Sequence, residues 1–120
     1  MAITLYGIPN CDTVKKARTW LDNNGVAFNF HDVKKAGLTE EIVAGWLRQV
    51  EWEVLLNRKG TTWRALPDER KAMITDATSA TALMLASPAV IKRPVLARDD
   101  TTHVGFSDAL YQQIFNKHNE

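Results

Sequence analysis

The first 33 residues dictate most of the topology open to this chain. Residues 2–6, AITLY, carry β-branched and aromatic side chains and stop at Gly7 and Pro9, the marks of a short strand. The spacing then changes. Val14, Ala17 and Leu21, with Trp20 beside them, fall on one face at helical intervals from Cys11 onward. Asn10 has the side chain of a helix cap, and Asn24–Gly25 closes the helix, Gly25 supplying the left-handed residue that helix ends favour. Residues 26–33, VAFNFHDV, alternate apolar and polar and read as a second strand. A strand–helix–strand run of this length predicts two parallel strands joined by a right-handed crossover.

From about 34 to 87 the character shifts to short helices. Thr39 caps the first, with Glu40 and Glu41 in the turn where the macrodipole favours them and Ile42, Val43, Trp46, Leu47 and Val50 as its apolar stripe. LPDERKAMI and TSATALMLAS predict two more, the second halted by Pro88, and the polar segment NRKGTTWR lies before them. Beyond Pro88, VIKRPVLARDD and THVGF predict two strands paired around an Asp99–Asp100 turn. Ser107 then caps a last helix, with Asp108 in its first turn and Leu110 and Ile114 facing inward. The order is β-α-β, helical insertion, β-β-α: an α/β fold with a small mixed sheet. At 120 residues the expectation is one domain over 1–120.

Composition narrows the function. Net charge is +1, so nothing global favours nucleic acid as a direct partner. No apolar run is long enough to cross a bilayer. One cysteine forms no internal disulfide, and MAITLYGIPN lacks a basic region followed by an apolar one, so a reducing compartment, the cytoplasm, is expected. A monomer is expected.

The lone cysteine carries the chemistry. Most free cysteines are small buried hydrophobes. Cys11 instead follows a strand, a proline and Asn10, and it starts a helix. The unpaired N–H groups of a first helical turn carry about half a positive charge, which favours the thiolate, the reactive form. Lys15, and Lys16 after it, add positive charge, so Cys11 is a candidate nucleophile with Asn10 and Lys15 stabilising its charge. The same N–H groups cradle an oxyanion or carboxylate, with Asp12 and Thr13 in the turn that meets it.

LYGIPNCDTVKKARTWL, LLNRKGTTWR and IKRPVL, in that order, resemble the thioredoxin-fold ArsC/Spx family of glutaredoxin-coupled arsenate reductases and Spx transcription regulators, in particular its YffB-like branch. The resemblance runs through essentially the whole chain, insertion included. It implies a thioredoxin-like fold, thiol chemistry at Cys11, no bound cofactor, and glutathione as co-substrate and reductant. By position Arg58, with an offset of one residue allowed, and Arg93 match arginines that hold the oxyanion in the family's arsenate reductases. Arg93–Pro94 matches its cis-proline loop, which faces the thiol. A third arginine is missing where this chain has Gly105. Arginine suits such positions because its planar fork donates paired hydrogen bonds to a carboxylate or oxyanion.

Two departures refine the reading. Thr13 and Val14 stand where a C-x-x-C would need its second thiol, so an external thiol must release any mixed disulfide on Cys11. Asp12 replaces the small residue that follows the cysteine in arsenate reductases, and its charge opposes an arsenate dianion. The expected function is therefore a glutathione-dependent thiol–disulfide reductase, with glutathione and glutaredoxin as partners and Arg93, Arg58, Pro94, Asp12 and Thr13 binding substrate or glutathione. The alternatives are a genuine glutaredoxin-coupled arsenate reductase and a non-catalytic, Spx-like interaction protein docking through its insertion. His31, His103 and His118 lack metal-ligand spacing, and His31 reads as a satisfied or solvated strand residue. Trp20 and Trp46 read as core, Trp52 is open to either assignment, and Trp63 is a candidate for the site or a partner surface. Lys34–Lys35 and Arg58–Lys59 read by composition as solvated charges.

Overall fold

In the computed structural model, which describes residues 2–115, the strand β1 (Ile3–Gly7) alternates buried and half-buried side chains at the strand period of two. The helix α1 (Asp12–Asn23) buries Val14, Ala17, Trp20 and Leu21, the stripe its spacing predicts. Gly25, at φ +66°, ends it: Val26 N–H returns to Leu21 O at 2.9 Å and Gly25 N–H to Asp22 O at 3.2 Å, a Schellman closure. This closure uses residues 24–26, so β2 is shorter than predicted, Asn29–Asp32, and runs parallel to β1 with Leu5 opposite Phe30. The cap also differs from expectation. Cys11, not Asn10, is the capping residue of α1, and its side chain makes no capping hydrogen bond.

The insertion contains five helices: α2 (Glu40–Leu47), α3 (Trp52–Leu55), α4 (Thr61–Arg64), α5 (Asp68–Ala72) and α6 (Ala77–Ala86). Thr39 caps α2 through Ile42 N–H at 3.2 Å. The segment NRKGTTWR is not purely loop, since it forms the single turn α4, and Trp63 packs with Trp52 against the insertion core rather than facing a site. Asp76 and Ser79 make a capping box at the start of α6.

The chain beyond α6 is less extended than predicted. Pro88–Val90 is a 3-10 turn, Ile91 makes an isolated antiparallel bridge to Leu56, and β3 (Val95–Arg98) begins only after a cis Arg93–Pro94 bond. Proline has no N–H to offer a ladder, which delays the strand. β3 pairs antiparallel with β1 and with β4 (Thr101–Val104) across the expected Asp99–Asp100 turn, where Asp99 has φ +52°. β4 stops at Val104 because Gly105 turns the chain at φ +86°. Ser107 caps α7 (Asp108–Phe115) by accepting from Leu110 N–H at 3.0 Å.

Strand order β2-β1-β3-β4, with one parallel and two antiparallel pairs, is that of a thioredoxin-like α/β sheet. Adjacent residues of β3 point to opposite faces. Val95 joins a core with Val43, Trp46, Leu83 and Met84 of the insertion, and Leu96 joins the other with Leu21, Trp20 and Tyr111. The sheet is thus covered by α1 and α7 on one side and by the insertion on the other. No helix among the described residues is long and apolar enough to cross a membrane.

Candidate active site around Cys11

Three backbone arrangements bring side chains to Cys11. The first is the tight exit from β1. A Cβ on Gly7 would lie 2.8 Å from Val14 Cγ2, so glycine lets the strand end pass directly over α1. Cys11 then starts the helix in an extended conformation, φ −101° and ψ 125°, and its carbonyl accepts the Lys15 N–H at 2.9 Å. Cys11 is a free cysteine, half-buried.

The second is the bridge between the insertion and the segment before β3. Asn57 N–H donates to Val90 O at 2.7 Å and Lys92 N–H to Leu55 O at 2.7 Å, on either side of the Leu56–Ile91 pair. The third is the approach of β4 to the proline loop, where Gly105 N–H donates to Pro94 O at 2.8 Å.

These enclose an open pocket of about 430 Å³ that includes Cys11, Thr13, Asn57, Lys92, Arg93 and Gly105, with Phe106 and Leu110 on its apolar side. No aspartate or glutamate lines it, and Lys92 and Arg93 give it positive charge. Arg93 is half-buried and held in place: Nη1 donates to Ala89 O at 3.1 Å and to Ile91 O at 3.5 Å. Its Nε is buried without a hydrogen-bond partner.

Of the predicted residues, Cys11, Thr13 and Arg93 meet in this pocket, and five others stand outside its lining. Arg58 is exposed, its guanidinium carbon 5.5 Å from the Trp52 ring centre and 5.8 Å from that of Trp63. Asn57, its neighbour, reaches the pocket instead: Arg58 and Lys59 lie in a turn that Gly60 N–H closes on Asn57 O at 3.1 Å, and this turn carries Arg58 away. Lys15 is exposed one turn along α1 and lines a different surface cleft, with Trp20, Phe106 and Asp108. Asn10 and Asp12 are exposed. Pro94 is buried behind the lining, its carbonyl accepting the Gly105 N–H. Sequence reasoning missed Asn57 and Lys92. The available signals were the one-residue offset at Arg58 and a second cation beside Arg93–Pro94.

The histidines serve elsewhere. His31 Nε2–H donates to Gly37 O at 2.7 Å, which satisfies it. His103 titrates below the usual histidine value because of burial and, secondarily, the nearby Arg98 charge. His118 lies outside the described residues. Among the described residues no group of three His, Cys, Asp or Glu side chains could hold a metal ion.

Residues 6–114 match the model of the ArsC family. A solved arsenate reductase (ArsC)-related protein from Brucella melitensis is 52% identical, with TM-score 0.75 over 96% of this chain and 95% of that one. The solved YffB protein is 46% identical, with TM-score 0.88 over 93% of this chain and 97% of its own. A Haemophilus influenzae relative of uncharacterised role is 39% identical over 94% of this chain and 98% of its own length.

Proposed function

The chain belongs to the ArsC family, and on that premise we propose that it is a glutathione-dependent thiol–disulfide reductase with Cys11 as nucleophile. The observation that carries the reading is the placement of the sole cysteine: at the start of α1, half-buried, lining a pocket that holds Arg93 and no carboxylate. The Cys11 thiolate attacks one sulfur of a disulfide; the new S–S bond forms as the old one breaks, and the departing thiolate takes a proton. A glutathione thiolate then attacks the mixed disulfide, returns Cys11 to the thiolate and leaves as a disulfide. The external thiol is required because the chain contains no second cysteine. Arg93 binds a carboxylate of the incoming glutathione group, and glutaredoxin is the protein that would recycle the oxidised product.

Mass spectrometry after incubation with oxidised glutathione tests this. The expected result is one glutathione adduct, on Cys11, released by added glutathione. A Cys11 that iodoacetamide labels but oxidised glutathione leaves unmodified would sink the proposal. Arsenate reduction is the less favoured chemistry, because Asp12 places a carboxylate in the first turn of the helix that Cys11 starts. Arsenate turnover with glutathione and glutaredoxin, absent in the wild type and gained in Asp12→Gly, would fit that ranking; turnover in the wild type would reverse it.

One observation favours a second reading, a non-catalytic interaction protein. A groove of about 700 Å³ runs between α2 and α6, floored by Ala44, Leu47, Ala82 and Leu85, and α6 carries no charged residue. Absence of any thiol exchange, together with a binding partner whose capture survives Cys11→Ser and is lost in Ala82→Glu, would select it.

A further inference from the structure

We propose that Lys92 is a selectivity residue of the Cys11 pocket, favouring reactants that carry an anionic group, a carboxylate above all, close to the sulfur attacked. The inference deepens the thiol–disulfide reading and rests on it only in taking Cys11 as the reacting group.

The backbone places Lys92 firmly. Its N–H is bound to Leu55 O at 2.7 Å, next to the Leu56–Ile91 bridge, so its Cα is held at the pocket edge by a contact between distant segments. Its side chain then passes over Gly105. A Cβ built on Gly105 would lie 3.7 Å from Lys92 Cε, so the last carbons of the lysine lie in the space above a residue that has no side chain. Gly105 is buried and has φ +86°, a conformation that side chains disfavour. The positive charge near this wall of the pocket therefore comes from Lys92, reaching across from the opposite strand connection.

The two cations of the pocket are not equivalent. Arg93 is half-buried and its Nη1 is bound to the carbonyls of Ala89 and Ile91, so it offers a charge in a set position. Lys92 is exposed, and among the described residues no hydrogen bond or ion pair engages its ammonium. A compact charge on a flexible stem meets anionic groups of differing reach, whereas a fixed fork selects one geometry. No acidic side chain in the lining neutralises either, so these two cations favour an anion over a neutral reactant of the same size, against the exposed Asp12 carboxylate beside Cys11.

The ratio of Cys11 labelling rates with iodoacetate and iodoacetamide measures this directly. In both reactions the sulfur displaces iodide and forms one S–C bond; the reagents differ in charge. Lys92→Gln is expected to lower the iodoacetate-to-iodoacetamide ratio about fivefold at low ionic strength, with the difference shrinking as salt is added. Lys92→Arg should restore the ratio, and the adduct-forming rate with oxidised glutathione should follow it. An unchanged ratio in Lys92→Gln, or an equal fall with both reagents, would overturn the proposal. A wild type that both reagents label but oxidised glutathione does not would instead refute the reductase reading, while the ratio still decides the role of Lys92.

Discussion

The indole Nε1 of Trp20 donates to Asp108 Oδ1 at 2.7 Å, joining the helix that starts at Cys11 to the first turn of α7. Trp20 is buried, so removing the acceptor leaves its N–H without a partner in the outer core. Asp108→Ala should destabilise the protein by about 1–2 kcal/mol in urea unfolding, and Asp108→Asn, which keeps an acceptor, by less. Equal stability of all three proteins would show that this bond contributes nothing.

Gly7→Ala should be destabilising despite the smallness of the change. The added methyl would stand 2.8 Å from Cγ2 of Val14, a stiff, fully buried side chain with no room to retreat. Overpacking of this kind typically costs about 1–3 kcal/mol. The double variant Gly7→Ala/Val14→Ala should lose less than the two single effects added together. Thermal unfolding of the four proteins gives the coupling, and simple additivity would contradict the close approach.

Asp76 predicts a pH dependence. Hydrogen bonds from the Ser79 backbone N–H and hydroxyl hold its carboxyl below the usual carboxylate value. A group whose pKa is lower folded than unfolded stabilises the fold above the unfolded value, about 3.9, and loses that contribution as pH falls through the folded value. Asp76→Asn should therefore melt earlier than wild type at pH 7, and the two curves should converge below about pH 3. A gap in melting temperature that stays constant across this range would refute the assignment.

Arg93→Gln keeps much of the side chain's length and removes its charge. With a charge-assisted contact worth about 1.5–3 kcal/mol, the Cys11 reaction with oxidised glutathione should slow by about tenfold to a hundredfold. Labelling by neutral iodoacetamide should hold near the wild-type rate. Parallel losses with both reagents would point to displacement of the proline loop instead.

Much of this fold is legible from local pattern. The stripe of α1, the glycine that ends it, the Thr39 and Ser107 caps and the Asp99–Asp100 hairpin all depend on residues a few positions apart, where periodicity and backbone preference suffice. The two misread strand boundaries have one source. Residues 26–28 look like strand but follow a helix closure, and residues 90–94 look like strand but are diverted by a 3-10 turn and a proline. In both places backbone hydrogen bonds outside the sheet overrode strand propensity.

What the chain's sequence determined alone is the thiol's setting: one cysteine, placed by a strand, a tight turn and an amphipathic helix at a helix start, with no second thiol to resolve it. What only the tertiary structure decided is the company that thiol keeps. Asn57 shares its pocket and Arg58 does not, because the bridge between Leu56 and Ile91 holds Asn57 beside the segment before β3 while the turn that follows carries Arg58 to Trp52 and Trp63. Lys92 lines the same pocket, the end of its side chain lying over Gly105. Such pairings join segments far apart in the chain, so no local pattern within either segment specifies which side chains line the pocket with the thiol.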